Sequence, residues 1–153
     1  MILLRHYTTE DSVQLSEAIN QVCSGTTLMS TRRFIPTGSW VHAMKMDNCR
    51  YHWLFVAETD GNVVGWCRSF PLNCGALPSQ AELGIGLLAQ FRTRGIGSEL
   101  IMRSLEWAKA TGIQTMDLTV SQRNSIAIHV FKKCGFETVQ IAGSKMQMST
   151  RLS

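Results

Sequence analysis

Ile2 to Tyr7 is a short apolar-rich run that stops at Thr8-Thr9-Glu10-Asp11, where hydroxyl and acidic side chains suit a helix start. The pattern predicts a strand and then a helix to about Val22. Its apolar face would be Val13, Leu15, Ala18, Ile19 and Val22, and it would end near Gly25. From Thr26 to Arg50 the pattern is irregular, broken at Pro36-Thr37-Gly38-Ser39 before a short helical stretch around Trp40 to Met46. Trp53 to Thr59 and Val63 to Phe70 are β-rich runs joined by Asp60-Gly61-Asn62, a strong hairpin signal. After a loop from Pro71 to Pro78, the run Ala81 to Leu88 places Leu83, Ile85 and Leu87 on one face and Glu82, Gly84 and Gly86 on the other.

Gly95 to Thr111 is an amphipathic helix on Ile96, Leu100, Ile101, Leu105 and Ala108, stopped by Gly112. Thr115 to Val120 alternates again, so Ala81 to Val120 reads as a right-handed parallel strand, helix, strand unit. A shorter helix, Asn124 to Cys134, is closed by Gly135, and Thr138 to Ile141 with Lys145 to Leu152 forms a last hairpin. No repeat or low-complexity tract interrupts the 153 residues, and residues 1–153 read as one domain.

Composition narrows the classes. With 44% apolar and 17% charged residues the chain is neither disordered nor fibrous. No apolar run approaches the ~20 residues of a membrane span. Arg5 and His6 stand inside the first run, which lacks the signal-peptide pattern, so the expected address is cytoplasmic. Cys23, Cys49, Cys67, Cys74 and Cys134 include no Cys-x-x-Cys pair and read as reduced thiols. His6, His42, His52 and His129 lack ligand spacing, so no metal is expected.

The net charge of +4 is uneven. Six Lys or Arg stand against seven Asp or Glu through Ala89, and nine against four from Gln90 onward. The excess comes without a basic block or interleaved aromatics, which favours a compact anionic ligand, or a solvated face, over nucleic acid.

Arg92-Thr93-Arg94-Gly95-Ile96-Gly97-Ser98 stands where a strand gives way to a helix. The first N–H groups of a helix lack intrahelical partners and carry the positive end of its dipole, so a pyrophosphate can supply the missing acceptors. Two glycines let the backbone approach closely. A tight turn with solvated arginines would show the same residues.

Arg92-x-x-Gly95-x-Gly97 resembles the R/Q-x-x-G-x-G/A signature of the GCN5-related N-acetyltransferase (GNAT) superfamily. The run Ala81 to Leu87 and then Phe91 to Gly97 resembles that family's strand-to-cradle segment, with Ala89 where a proline is common. Asn124, Ala127, Phe131 and Gly135-Phe136 match a second family motif. The resemblance covers residues 81 to 136 well, and residues 24 to 52 and 137 to 153 weakly.

The resemblance implies an α+β, three-layer fold. Its mostly antiparallel sheet would have six or seven strands, helices on both faces and one parallel pair that splays apart around the pantetheine arm of acetyl-CoA. It implies that backbone groups of Leu87, Leu88 and Ala89 bond the pantetheine amides. By the same carry-over, Arg92, Thr93, Arg94, Gly95, Ile96, Gly97 and Ser98 hold the pyrophosphate, with Asn124 and Phe131 beside the arm. Plain core packing for Leu87 and Leu88, and an N-cap for Asn124, are equally consistent with the residues.

Glu82, the only acid between Asp60 and Glu99, shares its strand face with glycines, so little bulk would separate it from a ligand. It is the candidate general base, or else a strand-bridging carboxylate. Phe131 stands where many family members have a proton-donating tyrosine. Cys134 and His129 read as packing and solvated residues.

The expected partners are therefore acetyl-CoA and an amine acceptor, with no metal, nucleic acid or membrane, and a homodimer is compatible. A non-catalytic acyl-CoA-binding regulatory module is the alternative. Thr26 to Trp40 and Ile141 to Lys145 would wall the acceptor. Phe34, Trp40, Trp66 and Arg68 there suit an aromatic amine, an amino acid or a peptide end alike.

Overall fold

The computed structural model describes residues 2–24, 52–71 and 79–152. The predicted helix around Trp40 to Met46, the loop 72–78, Cys49, Cys74 and the acceptor wall from Thr26 to Trp40 lie outside the described residues. The strands are β1 (Leu3–His6), β2 (Trp53–Thr59), β3 (Asn62–Pro71), β4 (Gln80–Leu87), β5 (Thr115–Ser121), β6 (Glu137–Ala142) and β7 (Lys145–Arg151). The helices are α1 (Ser12–Ser24), α2 (Ile96–Thr111) and α3 (Ser125–Lys133). One 7-stranded sheet runs in the order β1-β2-β3-β4-β5-β7-β6. Only β4 and β5 are parallel among these neighbours. This is the mixed, mostly antiparallel α+β fold expected, at the upper strand count.

Local chemistry sets the connections. Asp60 (φ 51°) and Gly61 (φ 79°) both take left-handed backbone, the requirement of a two-residue type I′ turn, so Asn62 already belongs to β3. Gly112 (φ 101°) ends α2, its N–H bonding the Ala108 and Lys109 carbonyls.

The two helical layers follow from alternation. Trp107 of α2 stacks on Trp53 at 6.0 Å, and Arg103 lies 5.7 Å over Phe55, so α2 covers the Trp53, Phe55 and Cys67 face. Because α2 packs across β2, β3 and β4 there, α1, which packs on β3 and β4, takes the opposite face. Strands covered on both sides need apolar residues on both, and β2 and β3 are buried almost continuously. At the far edge β6 is exposed throughout.

Val13 corrects the helix prediction. It is 67% exposed, while Leu15, Ala18, Ile19 and Val22 are buried. A short 3-10 turn, Thr9–Asp11, precedes α1, so α1 begins at Ser12 with Val13 turned outward. Asp11 is buried because Arg5 donates to both of its oxygens at 2.8 Å and to Glu58 at 2.7 Å. The Arg5 guanidinium, helped by the Thr8 N–H, holds the Asp11 carboxyl below its ordinary range. A depressed folded pKa gives stability that is present above the unfolded value and lost as pH falls through the folded one.

Among the described residues no helix is long and apolar enough to cross a membrane, and no group of His, Cys, Asp or Glu is gathered as for a metal ion.

Candidate active site

β4 and β5 pair only through Gln80 with Thr115, Ala81 with Met116 and Glu82 with Asp117. Beyond that rung β4 stays on β3 to Leu87, and β5 stays on β7 to Ser121. The two strands therefore diverge, and a split opens immediately after Glu82. The Leu88 N–H donates to the Val64 carbonyl at 2.9 Å. Antiparallel alternation then turns the N–H and C=O groups of Leu87 and Ile85 away from β3, into the split.

The Leu87 N–H faces the split, the Leu88 N–H bonds across β3, and the Ala89 carbonyl accepts from the Arg92 N–H at 3.2 Å to close a turn. Ile85, which sequence reading placed only on an apolar face, is the second residue with backbone groups facing the split. The period of a strand makes it i and i+2 that point one way, not three residues in a row.

The segment after β4 forms a concave loop. Thr93 (φ 63°) and Gly95 (φ 81°) adopt left-handed backbone, and Gly95 is the residue before α2, with no side-chain cap. The Gly95 carbonyl accepts the first helical bond, from the Glu99 N–H at 3.1 Å. The N–H groups of Ile96, Gly97 and Ser98 thus stand at the open helix end. Among the described residues, a Cβ built on Gly95 or Gly97 would meet nothing within 4 Å, so both glycines border open space there.

Side chains here fold onto the loop itself. Arg92 Nε donates to the Leu87 carbonyl at 3.0 Å, the Thr93 hydroxyl to the Arg92 carbonyl at 2.6 Å, and Arg94 lies 5.7 Å over Phe91. Unpaired backbone N–H groups at the helix start, the helix dipole and two nearby arginines together make an arrangement that suits an anion.

Glu82 sits on the α1 face, half-buried. Its face is less open than the glycines imply. A Cβ at Gly86 would lie 2.1 Å from the Trp66 ring, so the indole of the cross-strand partner fills that site. At Gly84 a Cβ meets nothing within 4 Å among the described residues. Asp117 stands opposite Glu82 on β5, and Phe70 opposite it on β3. Arg68 is 2% exposed, with its guanidinium carbon 3.9 Å over the Phe70 ring and its Nε donating to His52 Nε2 at 2.9 Å.

Burial raises the Glu82 pKa, Asp117 raises it further, and Arg68 opposes both. Burial also brings the Arg68 guanidinium down to about 10, against the pull of Glu82. A carboxylate held above its ordinary range by burial, beside a cation, has the chemistry of a proton acceptor. Asp117 and His52 were missed as site residues. The parallel register that brings Asp117 to Glu82 was available only as an alternation of Thr115, Asp117 and Thr119.

On α3, Asn124 Oδ1 accepts from the Ala127 N–H at 3.3 Å, which makes it the N-cap. Phe131 is 7% exposed and packs edge-on against Phe136 at 5.9 Å. Cys134 is half-buried, and burial raises its thiol pKa. His129 is exposed.

The acetyltransferase (GNAT) family matches residues 26–136. An N-alpha-acetyltransferase of Sulfurisphaera tokodaii is 36% identical over 97 residues, covering 57% of this chain and 58% of that protein. The chain spans about half the length of curated relatives it matches. An acetyltransferase of the GNAT family from Streptococcus pneumoniae superposes with a TM-score of 0.86 at 22% identity, over 100% of both chains. A putative acetyltransferase from Salmonella typhimurium, solved with its cofactor acetyl-CoA, superposes with a TM-score of 0.83 at 16% identity. That match covers 100% of this chain and 95% of the other. At such identities the solved structures speak for the fold.

Proposed function

Because this chain belongs to the acetyltransferase (GNAT) family, we propose that it is an acetyl-CoA-dependent N-acetyltransferase acting on a primary amine by direct attack. The observation that carries the reading is the split that opens at the Glu82–Asp117 rung, with a glycine-lined helix start at its far end. The curated relative named as an N-alpha-acetyltransferase supports an amine as acceptor. Residues 1–153 are taken as one domain, since the described strands form a single sheet.

The residues present fit the cosubstrate. Open space beside Gly95 and Gly97, where any Cβ would intrude, suits a pyrophosphate against the N–H groups of Thr93 to Ser98. The backbone groups of Ile85 and the Leu87 N–H suit an extended amide chain added as a strand would be. Acetyl-CoA supplies the acetyl group as a thioester. Glu82 takes the proton of the incoming ammonium, directly or through water, and so frees the lone pair for attack. A C–N bond forms and the C–S bond breaks without a covalent enzyme intermediate. Phe131 has no proton to give, so protonation of the leaving sulfur falls to water. Holding amine and thioester together supplies much of the rate.

The test is thiol release from acetyl-CoA across a panel of amines, checked by mass spectrometry of the product. Thiol release matched by acetylated amine supports transfer. Binding of acetyl-CoA with no release on any amine overturns it in favour of a regulatory acyl-CoA-binding module, the reading that Phe131 favours.

A further inference from the structure

Resting on Glu82 as the base, we propose that Arg68 is a positioning residue for the reaction, the fixed counter-charge of Glu82, held in place by Phe70 and His52. Three features of the structure place it there. Arg68 faces Gly84 on β4, so it is the diagonal neighbour of Glu82 on the same sheet face, within reach of a long side chain. Its guanidinium is clamped, with Phe70 beneath it at 3.9 Å and His52 Nε2 accepting from its Nε at 2.9 Å. It is also almost wholly buried, so its charge acts on its neighbours with little screening by water.

Among the described residues, the groups around Glu82 can be named element by element. β3 supplies Arg68 and Phe70, β5 supplies Asp117, and His52 precedes β2. α1, packed over β3 and β4, carries an exposed Glu17 and the buried Cys23, whose thiol pKa burial raises. Asp117 and burial favour the protonated acid, and Arg68 alone among these favours the carboxylate. A flexible cation would instead swing to water or pair with Asp117. The stack on Phe70 and the bond to His52 oppose that by holding the planar guanidinium in one orientation. To accept that bond His52 must be neutral, with its proton on Nδ1.

The experiment is a pH titration of the free protein carrying 13C-labelled glutamate, the Glu82 carboxyl resonance being assigned by its loss in Glu82→Gln. Removing the counter-charge in Arg68→Met should move the Glu82 midpoint up by about one pH unit or more, while Arg68→Lys should keep most of the wild-type value. Asp117→Asn should move it down. His52→Ala, which loosens the clamp without removing the charge, should move it up by less, and it serves should Arg68→Met fail to fold. A midpoint that stays within about 0.3 pH units of wild type in Arg68→Met, or in His52→Ala if that variant alone folds, overturns the proposal.

The acid limb of kcat/KM in the thiol-release assay separates this from the reading beneath it. If the limb follows the titration in each variant, both stand. If the midpoint moves while the limb does not, the counter-charge stands and Glu82 is not the base.

Discussion

The loop between β4 and α2 and the face around Glu82 are built on opposite plans. In the loop, a handful of consecutive residues offer main-chain N–H groups, while Arg92 turns back onto the last carbonyl of β4 and Thr93 onto the carbonyl of Arg92. Around Glu82, the working groups are side chains brought from three strands, with Trp66, Arg68 and Phe70 on β3 and Asp117 on β5. A backbone site tolerates change of side-chain chemistry but not an added Cβ. A side-chain site tolerates the reverse poorly, since each charge there sets its neighbours. Binding and chemistry should therefore fail separately under mutation.

The largest separation is expected at Glu82. Glu82→Gln should lower turnover at neutral pH by about 10²-fold or more while leaving acetyl-CoA affinity intact. Because burial and Asp117 raise its pKa, the wild-type rate should rise with pH through a midpoint above the ordinary glutamate value. In Glu82→Gln that limb should vanish, and activity should return only where the amine loses its own proton. A pH series of kcat/KM checks both. An unchanged profile in the variant would remove Glu82 from the mechanism.

Gly97→Val is the converse case. Its Cβ would enter the open space at the helix start, so acetyl-CoA affinity should fall about tenfold or more by calorimetry, and the melting temperature without ligand should hold, since valine is no worse than glycine in a helix. Gly95→Val should lose affinity and stability together, because φ 81° costs a side chain about 1 to 2 kcal/mol.

Gly86→Ala sharpens the contrast from the other side. The new methyl would strike the Trp66 ring, costing about 1 to 3 kcal/mol in chemical denaturation, and should disturb the Glu82 face more than the loop. The smallest effect is expected at Phe131. Phe131→Tyr should raise kcat modestly only if thiolate departure limits the rate. Otherwise a hydroxyl placed among Phe136 and its neighbours costs about 1 to 3 kcal/mol if unpaired. A faster variant with unchanged acetyl-CoA affinity would mean that the site lacks a general acid. A neutral or slower one ends any family-style role at this position.

How far the chain could be read in advance follows the same division. The loop was legible because Arg92-x-x-Gly95-x-Gly97 is contiguous and its glycines mark left-handed or closely approached backbone. The Asp60-Gly61 turn and the Gly112 stop were legible for the same local reason. The Glu82 face was only half legible. That Glu82 shares a face with Gly84 and Gly86 follows from the period of a strand. That Trp66 fills the space over Gly86, and that Asp117 abuts Glu82, depends on register between strands far apart in the chain. The bond from the Leu88 N–H to Val64 across β3 depends on the same kind of register. Val13 shows the limit on helices, where a 3-10 turn shifted the first residues off the apolar face.

The most direct test of this two-part construction is a calorimetric titration of acetyl-CoA into Glu82→Gln and Gly97→Val beside the wild type. The account predicts that Glu82→Gln binds as the wild type does and that Gly97→Val binds about tenfold or more weakly. Equal affinity in all three proteins, or a loss confined to Glu82→Gln, would contradict it.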